Sequence, residues 1–162
     1  MRDPARKISA PLPEGKFDYI SNLAQGQKEA LQKEIAKKFG LIGKQERREG
    51  DVLLLTLRRP NAPGLKPGTY SSKRARTFGR GTYSFENDPI SNLAVHLEKY
   101  FEIPVIDRTE LTERYDINLK WNEPDYRHPN PDGLKQALLD QLGVELVPSR
   151  EPVEMLVVEK VK

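Results

Sequence analysis

The chain has 162 residues, 36% of them hydrophobic and 31% charged, with a mean hydropathy of −0.70. That length predicts one domain with a core and a polar surface. The absence of cysteine removes disulfides, thiolate metal sites and thiol nucleophiles.

No run approaches the roughly 18 apolar residues of a membrane-spanning helix, and Met1-Arg2-Asp3-Pro4 leads into no apolar signal segment. Two origins fit: a cytoplasmic protein, or part of a longer precursor. The net charge of +3 is too mild to point to a polyanion partner by itself. Its distribution is more informative. Between Asp51 and Glu86 there is no acidic residue, while Arg58, Arg59, Lys66, Lys73, Arg74, Arg76 and Arg80 are basic. That stretch carries +7, which leaves −4 for the rest of the +3 total.

In chain order, residues 1–15 are polar and Pro-rich and read as a flexible arm, and residues 16–162 as a single α+β domain. Phe17, Tyr19 and Leu23 predict a first strand over 16–23. Leu31, Ile35 and Phe39 at four-residue spacing predict an amphipathic helix stopped by Gly40. Strands over about 41–48 and 52–58 follow, with Glu49-Gly50-Asp51 as the turn between them.

From about 59 to 81 the composition turns to Pro, Gly, Ser, Lys and Arg, a long basic loop. Thr82-Tyr83-Ser84-Phe85 alternates as a strand. Asp88-Pro89 is read as the cap of a second helix with Ile90, Leu93, Ala94, Leu97 and Phe101 on one face. Strands over 103–107 and 115–121 come next. Asn130-Pro131 caps a third helix carrying Leu134, Leu138 and Leu142. Gly143 ends it, and strands 144–147 and 155–158 close the chain around the turn-prone Pro148 to Pro152.

These segments suggest a repeat. Leu31, Ile35, Phe39 and Gly40 shifted by 103 fall on Leu134, Leu138, Leu142 and Gly143, and the three helical residues shifted by 62 fall on Leu93, Leu97 and Phe101. The expected architecture is therefore three helix-strand-strand units, a mostly antiparallel sheet with helices packed on one face. The core expected from it comprises Leu31, Ile35, Phe39, Leu53, Leu55, Leu93, Leu97, Phe101, Ile117, Leu119, Leu138, Leu142, Leu156 and Val158.

Several segments also resemble a known family. Phe17-Asp18-Tyr19, Leu31 to Phe39, Arg47-Arg48-Glu49 before the apolar run to Leu57, Pro63-Gly64-Leu65-Lys66-Pro67, Pro104 through Trp121 and Leu134 to Val161 are similar to the soil-associated protein family of bacteria, a domain of unknown function. The likeness runs from about residue 16 to the terminus. It departs at Glu110 and Glu113, where that family usually has Gly, and in lacking its N-terminal segment behind a signal peptide. The resemblance implies a C-terminal portion of a longer envelope protein, placed outside the cytoplasm, and implies no activity. At fold level the helix-strand-strand order is also similar to the short partner-binding modules of secretins and TonB-dependent receptors.

For chemistry, the segment Lys73-Arg74-Ala75-Arg76-Thr77-Phe78-Gly79-Arg80-Gly81-Thr82-Tyr83 interleaves cations with aromatics, the composition that contacts phosphates and stacks bases. Lys73, Arg74, Arg76, Arg80 and Tyr83 are its candidate binding residues, against the plainer reading of a solvated loop. Asp18 and Asp116 fit outward positions of alternating strands better than an acid-base pair. Asp107 fits a turn cap or an ion pair better than a catalytic role. His96 and His128 have no metal-ligand spacing. Trp121 reads as core or rim packing, with carbohydrate stacking as the alternative. No catalytic, cofactor or metal residue is assigned. The expectation is a non-enzymatic module that binds a protein or an anionic polymer in the envelope, with nucleic acid as the rival partner.

Overall fold

The computed structural model describes residues 6–8, 10–68, 76–125 and 127–161. It is α+β, with three helices and mostly antiparallel sheet pairings. The chain packs as two compact units, Asp51–Arg150 and the described parts of Arg2–Gly50 with Glu151–Lys162. Each is taken in turn.

The larger unit holds a sheet of β3 (Leu65–Pro67), β4 (Arg76–Gly79), β5 (Thr82–Pro89) and β7 (Arg114–Lys120), ordered β3-β7-β5-β4 and antiparallel throughout. In β7 the alternation Tyr115, Ile117, Leu119 is buried, as a strand with one covered face requires. Here β6 (Val105–Arg108) pairs in parallel with Leu53–Thr56 of β2 (Leu41–Leu57).

The helix α2 (Ile90–Phe101) packs against β5 and β6 through Ile90, Leu93, Ala94 and Leu97, which recur at helical spacing and are all buried. The last helix, α3 (Pro131–Ala137), has Pro131 at its first position, and Asn130 Oδ1 accepts the Gly133 N–H at 3.0 Å, so that cap stands as the sequence reads. A π-helical turn, Leu138–Leu142, continues it into Gly143 at φ 68°. Leu134, Leu138 and Leu142 are fully buried, each stabilising the fold by about 1.5–3 kcal/mol relative to exposure.

The other cap differs. Pro89, not Asp88, is the N-cap of α2 and, having no polar side-chain atom, makes no side-chain cap bond; the Asp88 carboxylate is instead engaged by Arg76 and Asn92.

The smaller unit contains α1 (Gln27–Phe39), which ends on Gly40 at φ 62° as expected, β1 (Arg6–Ile8), the first part of β2 and the last part of β8 (Val144–Lys160), in the order β1-β8-β2. None of α1 is buried, so Leu31, Ile35 and Phe39, expected in the core, are only half-covered. The helix itself offers little to bury, since eight of its thirteen residues, QKEALQKEIAKKF, are Gln, Lys or Glu. Residues 16–23 form no strand, and Phe17 instead meets Phe39 edge-on with ring centres 4.8 Å apart.

Both expected hairpins are single strands. β2 runs unbroken through Glu49-Gly50-Asp51 and β8 unbroken through Pro148 to Pro152. Gly50 has no positive φ; its missing Cβ makes room for Met155 Cε and Val153 Cγ2, which a Cβ would meet at 2.9 and 3.1 Å. Along its edge away from β2, β8 is paired by β1 only at Leu156–Val158, and an unpaired edge is where a strand can accept Pro. Burial near the end of β8 has the opposite parity to expectation, with Val157 1% exposed and Leu156 40%. Only α2 is followed by two separate strands, β6 and β7, and these lie in different sheets. The α+β class therefore stands without a clear threefold repeat.

Candidate functional site

The site lies in the larger unit, at the tip of the β4–β5 hairpin. Phe78 pairs with Tyr83 and Gly79 with Thr82, which leaves Arg80-Gly81 as the turn. Gly81 has φ 67° and its carbonyl accepts the Trp121 N–H at 3.0 Å. A side chain at Gly81 would run into the Trp121 carbonyl, so glycine lets the hairpin tip approach the end of β7.

Directly opposed on one face, Phe78 and Tyr83 stand with ring centres 5.6 Å apart at 72°. Trp121 lies edge-on to Tyr83 at 4.8 Å and to Tyr100 of α2 at 6.0 Å and 87°. These four rings, with Arg80 and Glu123, line a half-open pocket of about 230 Å³.

Glu123 fixes the walls. Its side chain sits in a residue only 9% exposed, and Oε2 accepts the Tyr100 hydroxyl at 2.8 Å and the Trp121 indole N–H. The Asn130 backbone N–H donates to Oε1 at 3.3 Å. No ion pair is made by Glu123 among the described residues. The loop carrying it is itself tied: Asn130 Nδ2 donates to the Asn122 carbonyl at 2.8 Å, and Asp125 accepts the Arg127 and His128 backbone N–H groups at 2.6 and 2.9 Å. Hydrogen bonding from His128 and the Arg127 amide holds the Asp125 carboxyl below its ordinary range, with a smaller contribution from the Arg80 charge.

Burial pushes the Tyr83 phenol up to about 12, and the charge on Glu123 adds to it. Tyr100 is also raised to about 12, first by burial and then by its hydrogen bond to Glu123. Both phenols are thus neutral across the physiological range.

The basic segment is distributed differently from its composition. Lys73 and Arg74 lie outside the described residues. Arg76 is bound by Asp88 through two hydrogen bonds, Nε to Oδ2 at 2.5 Å and Nη2 to Oδ1 at 2.9 Å. Arg80 donates to the Pro124 carbonyl at 3.0 Å, and Tyr83 is a pocket wall. Of the named candidates, the pocket therefore gathers Arg80 and Tyr83. Phe78 belonged to the same cation-aromatic segment. Tyr100 and Glu123 had no local signal, since only the fold brings the end of α2 to the loop after β7.

The remaining candidates are dispersed. Asp18 is exposed outside any strand. Asp116 accepts the Asn87 N–H at 2.7 Å, beside the β5 bulge, and Asp107 accepts the Thr109 N–H and hydroxyl at 3.0 and 2.7 Å, the turn-capping role expected of it. His96 packs on Phe78 with ring centres 4.0 Å apart, and His128 pairs with Asp125 at 2.9 Å. Among the described residues, no group of three or more His, Asp or Glu is placed to hold a metal ion. Among the described residues no helix is long and apolar enough to cross a membrane.

Comparison with curated proteins and with solved structures finds no match for this chain. A family model does match, over residues 7–161, nearly the whole length. The chain belongs to that family, described as "Protein of unknown function (DUF3738)".

Proposed function

We propose that this domain is a non-enzymatic binding module that receives part of its partner in the aromatic pocket at the β4–β5 tip. One observation carries the reading: four rings converge on one opening, and a buried carboxylate immobilises two of them through their polar atoms. Preorganised aromatic walls add binding energy without the cost of ordering them on association. The basic segment supports a polyanion partner less well, because Arg76 is already neutralised by Asp88. The resemblance of the Pro104–Trp121 segment supports a place in the bacterial envelope, outside the cytoplasm.

A thermal-shift panel of ammonium compounds, sugars, cell-wall fragments and oligonucleotides tests this on the wild type and on Tyr83→Leu. A pocket ligand at 100 times its Kd stabilises the wild type by about 2.7 kcal/mol, and the gain disappears in the variant. A ligand that stabilises both proteins equally binds elsewhere and contradicts the pocket. An oligonucleotide behaving so, with a shift that vanishes at high salt, would favour the basic segment instead.

A further inference from the structure

The pocket is a poor match to a flat platform. Tyr83 and Tyr100 stand at 66° and 87° to Trp121, so the rings do not form one plane, whereas a sugar ring stacks on one open face. Its volume of about 230 Å³ lies below the roughly 300–1,000 Å³ of sites for drug-sized ligands. These features suit a small, nearly isotropic group.

Charge selects among such groups. Glu123 is buried at the pocket with three neutral donors and no cation among the described residues. A buried carboxylate is costly until a counter-charge reaches it. Aromatic faces attract a cation by their quadrupoles, most strongly where water is excluded. Among the described residues the one cation lining the pocket is Arg80, and its guanidinium is engaged by the Pro124 carbonyl at 3.0 Å.

We propose that the pocket binds a small organic cation, a quaternary ammonium group, against Phe78, Tyr83, Tyr100 and Trp121 with Glu123 as its counter-ion. This rests on the reading of the pocket as a binding site and adds the class of ligand.

Calorimetric titration of the full chain with choline, and with its neutral isostere in which carbon replaces the ammonium nitrogen, tests the proposal. Choline is expected to bind, and the isostere about tenfold more weakly or worse. Glu123→Gln is expected to weaken choline by at least a similar factor, and by more than it weakens the isostere, since the lost wall contacts act on both and the lost charge on choline alone. Tyr83→Leu, whose lost hydroxyl makes no hydrogen bond among the described residues, should weaken choline as well if the Glu123 variant does not fold. Comparison with glycerophosphocholine shows whether a free ammonium compound or a lipid-derived head group is preferred, and either preference supports the proposal. Equal affinity for choline and its isostere would overturn the cation assignment while leaving the pocket a binding site. Heat from neither overturns it too, and the broader reading then falls only if the thermal-shift panel is also silent.

Discussion

Asp88 is 1% exposed, and its carboxylate accepts two hydrogen bonds from Arg76 and one from Asn92 at 2.8 Å. Burial acts to raise its pKa, but the Arg76 and Asn92 hydrogen bonds and the charges of Arg76 and Arg114 together hold it below the ordinary value. A depressed carboxyl contributes stability that is present above the unfolded value, about 3.9, and is lost as pH falls through the folded value. Asp88→Asn is expected to lower stability at neutral pH by about 1–3 kcal/mol and to flatten the acid limb below about pH 4; urea unfolding from pH 2 to 7 reads both. His96 is depressed as well, by burial first and then by the charges of Lys99 and Arg76. Its contribution is complete above the unfolded value of about 6.5 and declines as pH falls below it. Replacing it by Phe keeps a ring against Phe78 and should remove that decline, which melting temperatures between pH 5 and 8 would reveal. An unchanged slope would show that another group titrates there.

At the scale of elements, glycine has two roles in this chain, and sequence separates them poorly. Gly81 and Gly143 hold φ near 68° in tight places, Gly143 with its carbonyl accepting the Arg58 and Arg59 N–H groups at 2.8 and 2.9 Å. Gly81→Ala should cost about 1–2 kcal/mol for the left-handed backbone alone. It should also shift the emission of Trp121, whose carbonyl the new methyl group meets. Gly50, by contrast, sits in extended β2 because side chains of β8 fill its place. Composition makes Glu49-Gly50-Asp51 look like a turn, and only the partner strand, about a hundred residues away in sequence, makes it part of a strand. The α2 and α3 faces were legible because 3.6-residue periodicity is local, and so was the Asn130-Pro131 cap. The two long strands were not, since pairing is not a local property. Backbone chemical shifts of residues 49–51 and 148–152 should be those of extended chain; turn values at either place would contradict β2 or β8.

For the whole molecule, the buried apolar cluster belongs to the unit spanning Asp51–Arg150, where Leu97 and Leu119 are fully enclosed, while α1 of the other unit buries none of its residues. Leu97→Ala should therefore cost about 2–5 kcal/mol, and Leu31→Ala much less, a contrast that denaturation of the two variants measures. The uneven charge distribution, not the net +3, suggested where to look for function, and the basic segment did contain part of the answer in Arg80 and Tyr83. What it concealed was that Arg76 is neutralised within the fold, and that Tyr100 and Glu123 complete the site from other elements. Trp121 is the only tryptophan in the chain, so its indole N–H gives one assignable NMR signal inside the pocket. Titration with choline should move that signal saturably in the wild type and not in Glu123→Gln; an indole signal that stays fixed while resonances elsewhere in the protein move would contradict the pocket as the binding site.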